Sequence, residues 1–205
     1  MIWFTADQHF GHANIIKFTN RPFADVDEMD KHLIDRWNSS VASADTVYHL
    51  GDFTLGVVTR ARHYFSQLNG KIYVLGNDWH HDRRWLPTWH IPGEEPRIRI
   101  GVAPFFSASS LRVAILPPLH VLEFSELGTD EHPLAVTLCH YPIAVWDRKH
   151  YGAWHLFGHS HGQHDNGGFS FDVGVDAHNY DPVSLDQVIW YMRERGWENP
   201  RKVQQ

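Results

Sequence analysis

The chain has 205 residues, of which 42% are hydrophobic and 14% aromatic, and it carries a formal charge of −6. That length fits one domain able to bury roughly 70% of its unfolded surface, and the aromatic content argues against disorder. The acidic balance disfavours stable binding of duplex DNA, the single Cys139 excludes an internal disulfide, and no apolar stretch is long enough to suggest a membrane span.

In chain order, Ile2–Ala6 reads as a buried strand that delivers Asp7, followed by a loop containing Gly11, Asn20 and Pro22. Asp25 and Glu28 have the spacing of a capping box, and Val26, Met29, Leu33, Ile34 and Trp37 then fall on one helical face. Thr46–Leu50 is a second strand ending at Gly51-Asp52. A helix through Ala61, Tyr64, Phe65 and Leu68 precedes a third strand, Lys71–Leu75, which ends at Gly76-Asn77. The stretch 78–118 holds six of the eleven prolines and reads as a variable insert, with short strands expected at Arg97–Val102 and Leu111–Leu116. Val121–Phe124 and Leu134–Leu138 look like a pair joined by a polar turn. Trp154–Phe157 and Phe169–Val173 are further strands, and Ser184 caps a last helix with Leu185, Val188, Ile189 and Met192 inside. Helices alternate with the early strands and the later strands follow one another, which predicts an α/β fold with mixed sheets in a single domain, 1–205.

Histidine is the compositional anomaly, at 17 residues against 18 Lys plus Arg. Polar clusters close five expected strands: Asp7-x-His9, Asp52, Asn77, His140 and Gly158-His159-Ser-His161. Each alone is an ordinary turn. Together they supply three oxygen and four nitrogen donors, too many for one tetrahedral zinc and suited to two divalent ions sharing a carboxylate.

In their order and spacing these motifs resemble the calcineurin-like metallophosphoesterase superfamily, and the run Ala6–Asn14 with Tyr48–Asp52 is similar to its small microbial and phage members. The resemblance implies a four-layer α/β/β/α sandwich of two mixed sheets with flanking helices. It also implies two ions, manganese first and iron or zinc as alternatives. Asp7, His9, Asp52 and His161 would hold one, and Asp52, Asn77, His140 and His159 the other. The implied reaction is hydrolysis of a phosphate ester by a hydroxide lying between the ions, with small phosphate esters or nucleotides as substrates and short single-stranded nucleic acid as a further partner. A cytoplasmic location is expected. The superfamily motif Gly-Asn-His-Asp/Glu is altered here to Gly76-Asn77-Asp78-Trp79-His80-His81-Asp82. Asp78 stands where the general-acid histidine belongs, unless an insertion restores His81-Asp82, or His80, to that role. Diesters are therefore expected to be cleaved at least as well as monoesters, since a monoester with a poor leaving group depends more on the acid. The alternative is a phosphomonoesterase using His80 or His81, and a non-catalytic scaffold is a further one. His12 and Asn14 could face substrate. Arg21, Arg83, Arg84 and Arg148 are candidate phosphate contacts, and Trp79, Trp85 and Trp89 candidate stacking partners. Asp172 and Asp176 are placed to orient ligand histidines.

Overall fold

A computed structural model describes residues 1–76, 81–86, 88–89, 97–98, 101–102, 112–129 and 131–199. Its elements run β1 (Ile2–Thr5), α1 (Ala13–Phe18), α2 (Val26–Ser40), β2 (Thr46–His49), α3 (Val58–Phe65), β3 (Lys71–Leu75), β4 (Thr88–Trp89), β5 (Arg97–Ile98), β6 (Gly101–Val102), β7 (Val113–Leu116), β8 (Leu119–Phe124), β9 (Leu134–Cys139), β10 (Trp154–Phe157), β11 (Ser170–Asp172), β12 (Val183–Ser184) and α4 (Leu185–Glu194). Two mixed sheets result, ordered β12-β1-β2-β3-β7-β6 and β11-β10-β9-β8, with β4 and β5 as a separate pair.

Strand alternation sorts the core into layers. Val47, Ile72, Val74, Val113 and Ile115 face Leu33 and Trp37 of α2 and Ala61 and Phe65 of α3. On the other face Phe4, Leu50 and Leu75 meet Val136, Leu138, Trp154 and Leu156 of the smaller sheet, together with Val188 and Met192 of α4. The outer side of the smaller sheet packs Ala135 and Val121 against Trp146, Ile143 and Ala153 of the connection between β9 and β10. Among the described residues the cover on that side comes from this connection, which includes a 3-10 turn at Lys149–Tyr151. β7 pairs in parallel with β3, so the tail of the expected insert 78–118 is a core strand of the larger sheet. No helix among the described residues is long and apolar enough to cross a membrane.

Both helix caps read from the sequence form. Asp25 accepts from the Glu28 amide, although the Glu28 carboxylate reaches the Ala24 amide instead of closing the box on Asp25. Ser184 and Gln187 complete a full box at α4. Ala13–Phe18, expected within a loop, forms α1. Its N-terminus has no side-chain cap, so the usual start signal is missing.

Register aligns the strands' carboxyl ends. Thr5 lies beside His49, His49 beside Val74, and Val74 beside Ile115. In the second sheet β9, β10 and β11 are parallel to one another. The two sheets touch at this rim through a bridge between Ala6 and Gly174. Loops after β1, β2, β9 and β10 thereby converge on one edge, where an open α/β fold collects its ligands.

Candidate metal centre

Asp7, His9 and His161 form one group whose ligand atoms lie within 4.8 Å of one another, and Asp52, His140 and His159 form a second. Asp52 Oδ2 lies 3.5 Å from His9 Nε2 and 3.5 Å from His140 Nε2, which puts one carboxylate between the two groups. His140 Nδ1 is 3.9 Å from Asp7 Oδ1. The structure thus brings together six of the seven expected donors. Asn77 lies outside the described residues, as do Asp78, Trp79 and His80.

The backbone bends sharply to aim these side chains. Five of the six donors have positive φ: Asp7 (66°), His9 (54°), Asp52 (56°), His159 (67°) and His161 (49°). Asp and His tolerate this region better than most residues, yet each such position costs about 1–3 kcal/mol and persists only where the surroundings impose it. Glycines make the room. A Cβ on Gly158 would lie 2.8 Å from Asp7 Oδ2, one on Gly174 2.5 Å from the same oxygen, and one on Gly51 2.9 Å from His140 Nδ1.

A second set of side chains fixes the first. Asp7 Oδ2 accepts from the His159 amide at 2.9 Å, tying the two sheets together. His161 Nδ1 donates to Asp176 Oδ2 at 2.6 Å, leaving Nε2 for the cleft. Arg21, expected at a phosphate, is instead buried. It donates to both oxygens of Asp176 and to the carbonyls of Asp7 and Gln8, because its guanidinium is the counter-charge that Asp176 needs at this depth. Asp172 accepts from the Ser160 hydroxyl and the amides of Gly162 and Gly174, bracing the loop that carries His159 and His161. His49 joins β2 to β1: its Nε2 pairs with Gln8 Oε1, while its Nδ1 accepts from the Gly51 amide. On the far side Asp30 of α2 takes the Gly11 amide and the Tyr64 hydroxyl, anchoring the turn beyond His9. Gln8, Asp30 and His49 escaped the sequence reading, since nothing local distinguishes them.

Asp82 also departs from expectation. It is fully buried, with its oxygens accepting from the amides of Phe53 and Thr54 and from the Trp85 indole. It therefore braces the loop after Asp52 and does not line the cleft. Trp85 is core, so it offers no stacking face. Arg148 pairs with Glu123 and Asp147 at the surface. Arg83, Arg84 and Asn14 are exposed. His81 does reach the cleft, with its ring 4.8 Å from that of His9 and 5.0 Å from that of His12. These three histidines form a third donor group, but His9 already belongs to the first.

Burial sets the electrostatics. It raises the Asp7 carboxyl well above the usual carboxylate range, and the charges of Asp52 and Asp172 add to this. Burial likewise drives His9 far below the usual imidazole value, against the pull of Asp52. At Asp176 burial is opposed by hydrogen bonds from His161 and Arg21, which hold it below the ordinary range. Asp7 Oδ1 and both ring nitrogens of His9 are buried with no hydrogen-bond partner. Groups of this kind are rarely left so. A cation placed among them would supply the missing partner and reverse the repulsion between Asp7 and Asp52. The donor set, imidazole and carboxylate without thiolate, is one that divalent metals take without selecting among them.

The cleft above these donors has a volume of about 370 Å³ and includes His12, Phe18 and Gln163 in its walls. A larger cavity of about 750 Å³ lies where β9 begins, lined by Leu127, Leu134, Phe169 and Trp197 among others. None of the three donor groups reaches it.

No family model matches the chain. A crystal structure of a protein of unknown function, AQ665 from Aquifex aeolicus, is similar in fold, with a TM-score of 0.60 over 93% of this chain and 98% of that one at 17% identity. The Gene 66 protein of Mycobacterium phage D29 is 28% identical over 91% of this chain and 93% of its own length. The uncharacterized protein MJ1445 of Methanocaldococcus jannaschii is 33% identical over 198 residues, 92% of this chain and 89% of the relative. Identity at that level along nearly the whole of both sequences means that the chain belongs to the family of MJ1445.

Proposed function

We propose that the chain is a two-metal phosphoesterase of the calcineurin-like metallophosphoesterase type. The observation that carries this reading is the position of Asp52, whose Oδ2 lies 3.5 Å from a histidine nitrogen of each donor group. One carboxylate shared between two sets of imidazoles is how a protein holds a pair of divalent ions at the spacing used for in-line attack on phosphorus. When bound, such a pair supplies an activated water and positive charge for the phosphate oxygens. Asp7, His9, Asp52 and His161 would hold one ion, and Asp52, His140 and His159, with Asn77, the other. Manganese is the first candidate metal.

The chain's own residues then have defined tasks. Asp176 and Arg21 keep His161 turned towards the cleft, and Asp82 holds the loop after Asp52. His81, beside His9 and His12, is the candidate to hand a proton to the leaving oxygen, a role that also supports the second reading, a phosphomonoesterase. Diesters remain the first expected substrates, small phosphate esters and nucleotides the expected class. A lone cysteine fits a cytoplasmic location.

The test is turnover of bis-p-nitrophenyl phosphate and p-nitrophenyl phosphate by metal-stripped protein before and after manganese is added. Manganese-restored hydrolysis that disappears in Asp52→Asn supports the reading. Rates that persist without metal, or that ignore Asp52→Asn, overturn it. A monoester rate that exceeds the diester rate and collapses in His81→Ala selects the second reading.

A further inference from the structure

Phe18 is the only exposed phenylalanine among the described residues, at 72% exposure, and it stands on the wall of the candidate metal cleft. Phe4, Phe10, Phe53, Phe65 and Phe157 are all fully buried, so this chain places its other described phenylalanines in or against the core when it can. A scattered exposed hydrophobic residue is unremarked on most surfaces. This one is positioned by structure. Ile15, Phe18 and Thr19, at helical spacings of three and four, turn one side of α1 to the cleft. Ile15 is buried and anchors the helix, and the Phe18 ring meets His12 edge-on, 6.3 Å between centroids at 75°. The same cleft is lined by polar groups, with Ser160 and Gln163 beside His159 and His161. An exposed aromatic ring and hydrogen-bonding side chains therefore share one opening with His9 and His161 of the first donor group and Asp52 and His159 of the second.

We infer that Phe18 is a specificity-determining residue, a platform on which a nucleobase stacks while the attached phosphate lies over the metal ligands. The inference rests on the phosphoesterase reading for its phosphate position and narrows the substrate class to nucleotide esters. Stacking on an aromatic side chain tolerates every base, because each has a π-face. Platform recognition thus gives preference for nucleotides over simple phosphate esters without sequence selectivity. Gln163, in the lining of the same cleft, would bond an exposed edge of the base or sugar.

The experiment is calorimetric titration of manganese-loaded protein with adenosine 5′-monophosphate and, separately, with inorganic phosphate, for wild type, Phe18→Ala and Phe18→Trp. The wild type should bind the nucleotide about tenfold more tightly than phosphate, the scale of one stacked base. Phe18→Ala should close that gap with phosphate affinity and manganese content unchanged, and Phe18→Trp should keep it open. Equal affinities in the wild type, or a gap that survives Phe18→Ala, overturn the platform. Turnover of p-nitrophenyl esters is measured alongside, which separates the two failures. Turnover without nucleotide preference sinks the platform alone. Nucleotide preference without turnover keeps the platform and sinks the phosphoesterase reading. Binding of neither ligand sinks both.

Discussion

Asp176 accepts from His161 on one oxygen while Arg21 donates to both, at 2.6, 2.7 and 2.8 Å. A carboxylate behind a ligand histidine fixes its tautomer and ring plane, and losing such a partner typically weakens metal binding 10–100-fold. Asp176→Asn has one acceptor oxygen where two are used, so either His161 or Arg21 loses its bond. The expected result is manganese affinity lower by roughly 10–100-fold, read by competition with a chelator. Unchanged affinity would show that His161 holds its orientation without help. The same single substitution should also lower the urea midpoint, since Arg21 is buried and its charge would be left partly uncompensated.

At the scale of elements, the loop after β2 and the 3-10 turn His81–Arg84 are held together by Asp82. Asp82→Ala would strand the Phe53 and Thr54 amides and the Trp85 indole in the core, at about 1–3 kcal/mol for each donor left unpaired. We expect a fall of several kcal/mol in unfolding free energy by urea denaturation, with Asp82→Asn milder because its amide oxygen still accepts. Similar losses in the two variants would show that the carboxylate's charge, rather than its acceptor geometry, is what the turn needs. These elements also show how much was legible in the sequence. β3, β10 and α4 announce themselves through apolar runs closed by glycine, or through a cap, and the ligands that follow strands could be read because strand ends carry them to one rim. The bracing residues were illegible. Arg21 meets a partner 155 positions away and His49 one 41 away, and no local pattern encodes either pairing. Asp82 was misread for a similar reason: its neighbour His81 reaches the cleft, while its two amide partners belong to a loop 28 and 29 residues earlier and only the Trp85 indole is local.

For the molecule as a whole, the donor cluster stores unfavourable energy, in positive-φ backbone and in closely spaced buried carboxylates, that bound cations would offset. Ligand that binds only the folded state adds about 2.7 kcal/mol of stability per site at a hundredfold excess over Kd. For a chain of this length one such site should raise Tm by about 5–10 °C. Thermal unfolding of stripped and manganese-loaded protein checks this, and an unchanged Tm would mean that the cluster takes no ion. Acid should act in the opposite direction, and the sign follows from the buried imidazoles. Burial lowers His49 to about 3, and it also lowers His155 and His178. Each has an ordinary value of ~6.5 in the unfolded chain, so below that pH the unfolded state takes up protons that the folded state refuses. Their contribution is fully present above pH ~6.5 and is lost as pH falls towards the depressed folded values. Asp82 works the other way, since burial raises it to about 6 and the folded state then binds the extra proton between pH ~4 and 6. His155 isolates the histidine effect, because it lies on the outer face of the smaller sheet, with Nε2 accepting from the Ile143 amide and Nδ1 against the Thr137 carbonyl. Protonating Nε2 would cancel the first bond. Between pH 7.5 and 5, metal-free wild type should therefore lose more stability than His155→Gln, by at most about 1.4 kcal/mol for each pH unit below ~6.5. Urea midpoints at the two pH values measure the difference, and parallel losses would mean that His155 is protonated as readily folded as unfolded.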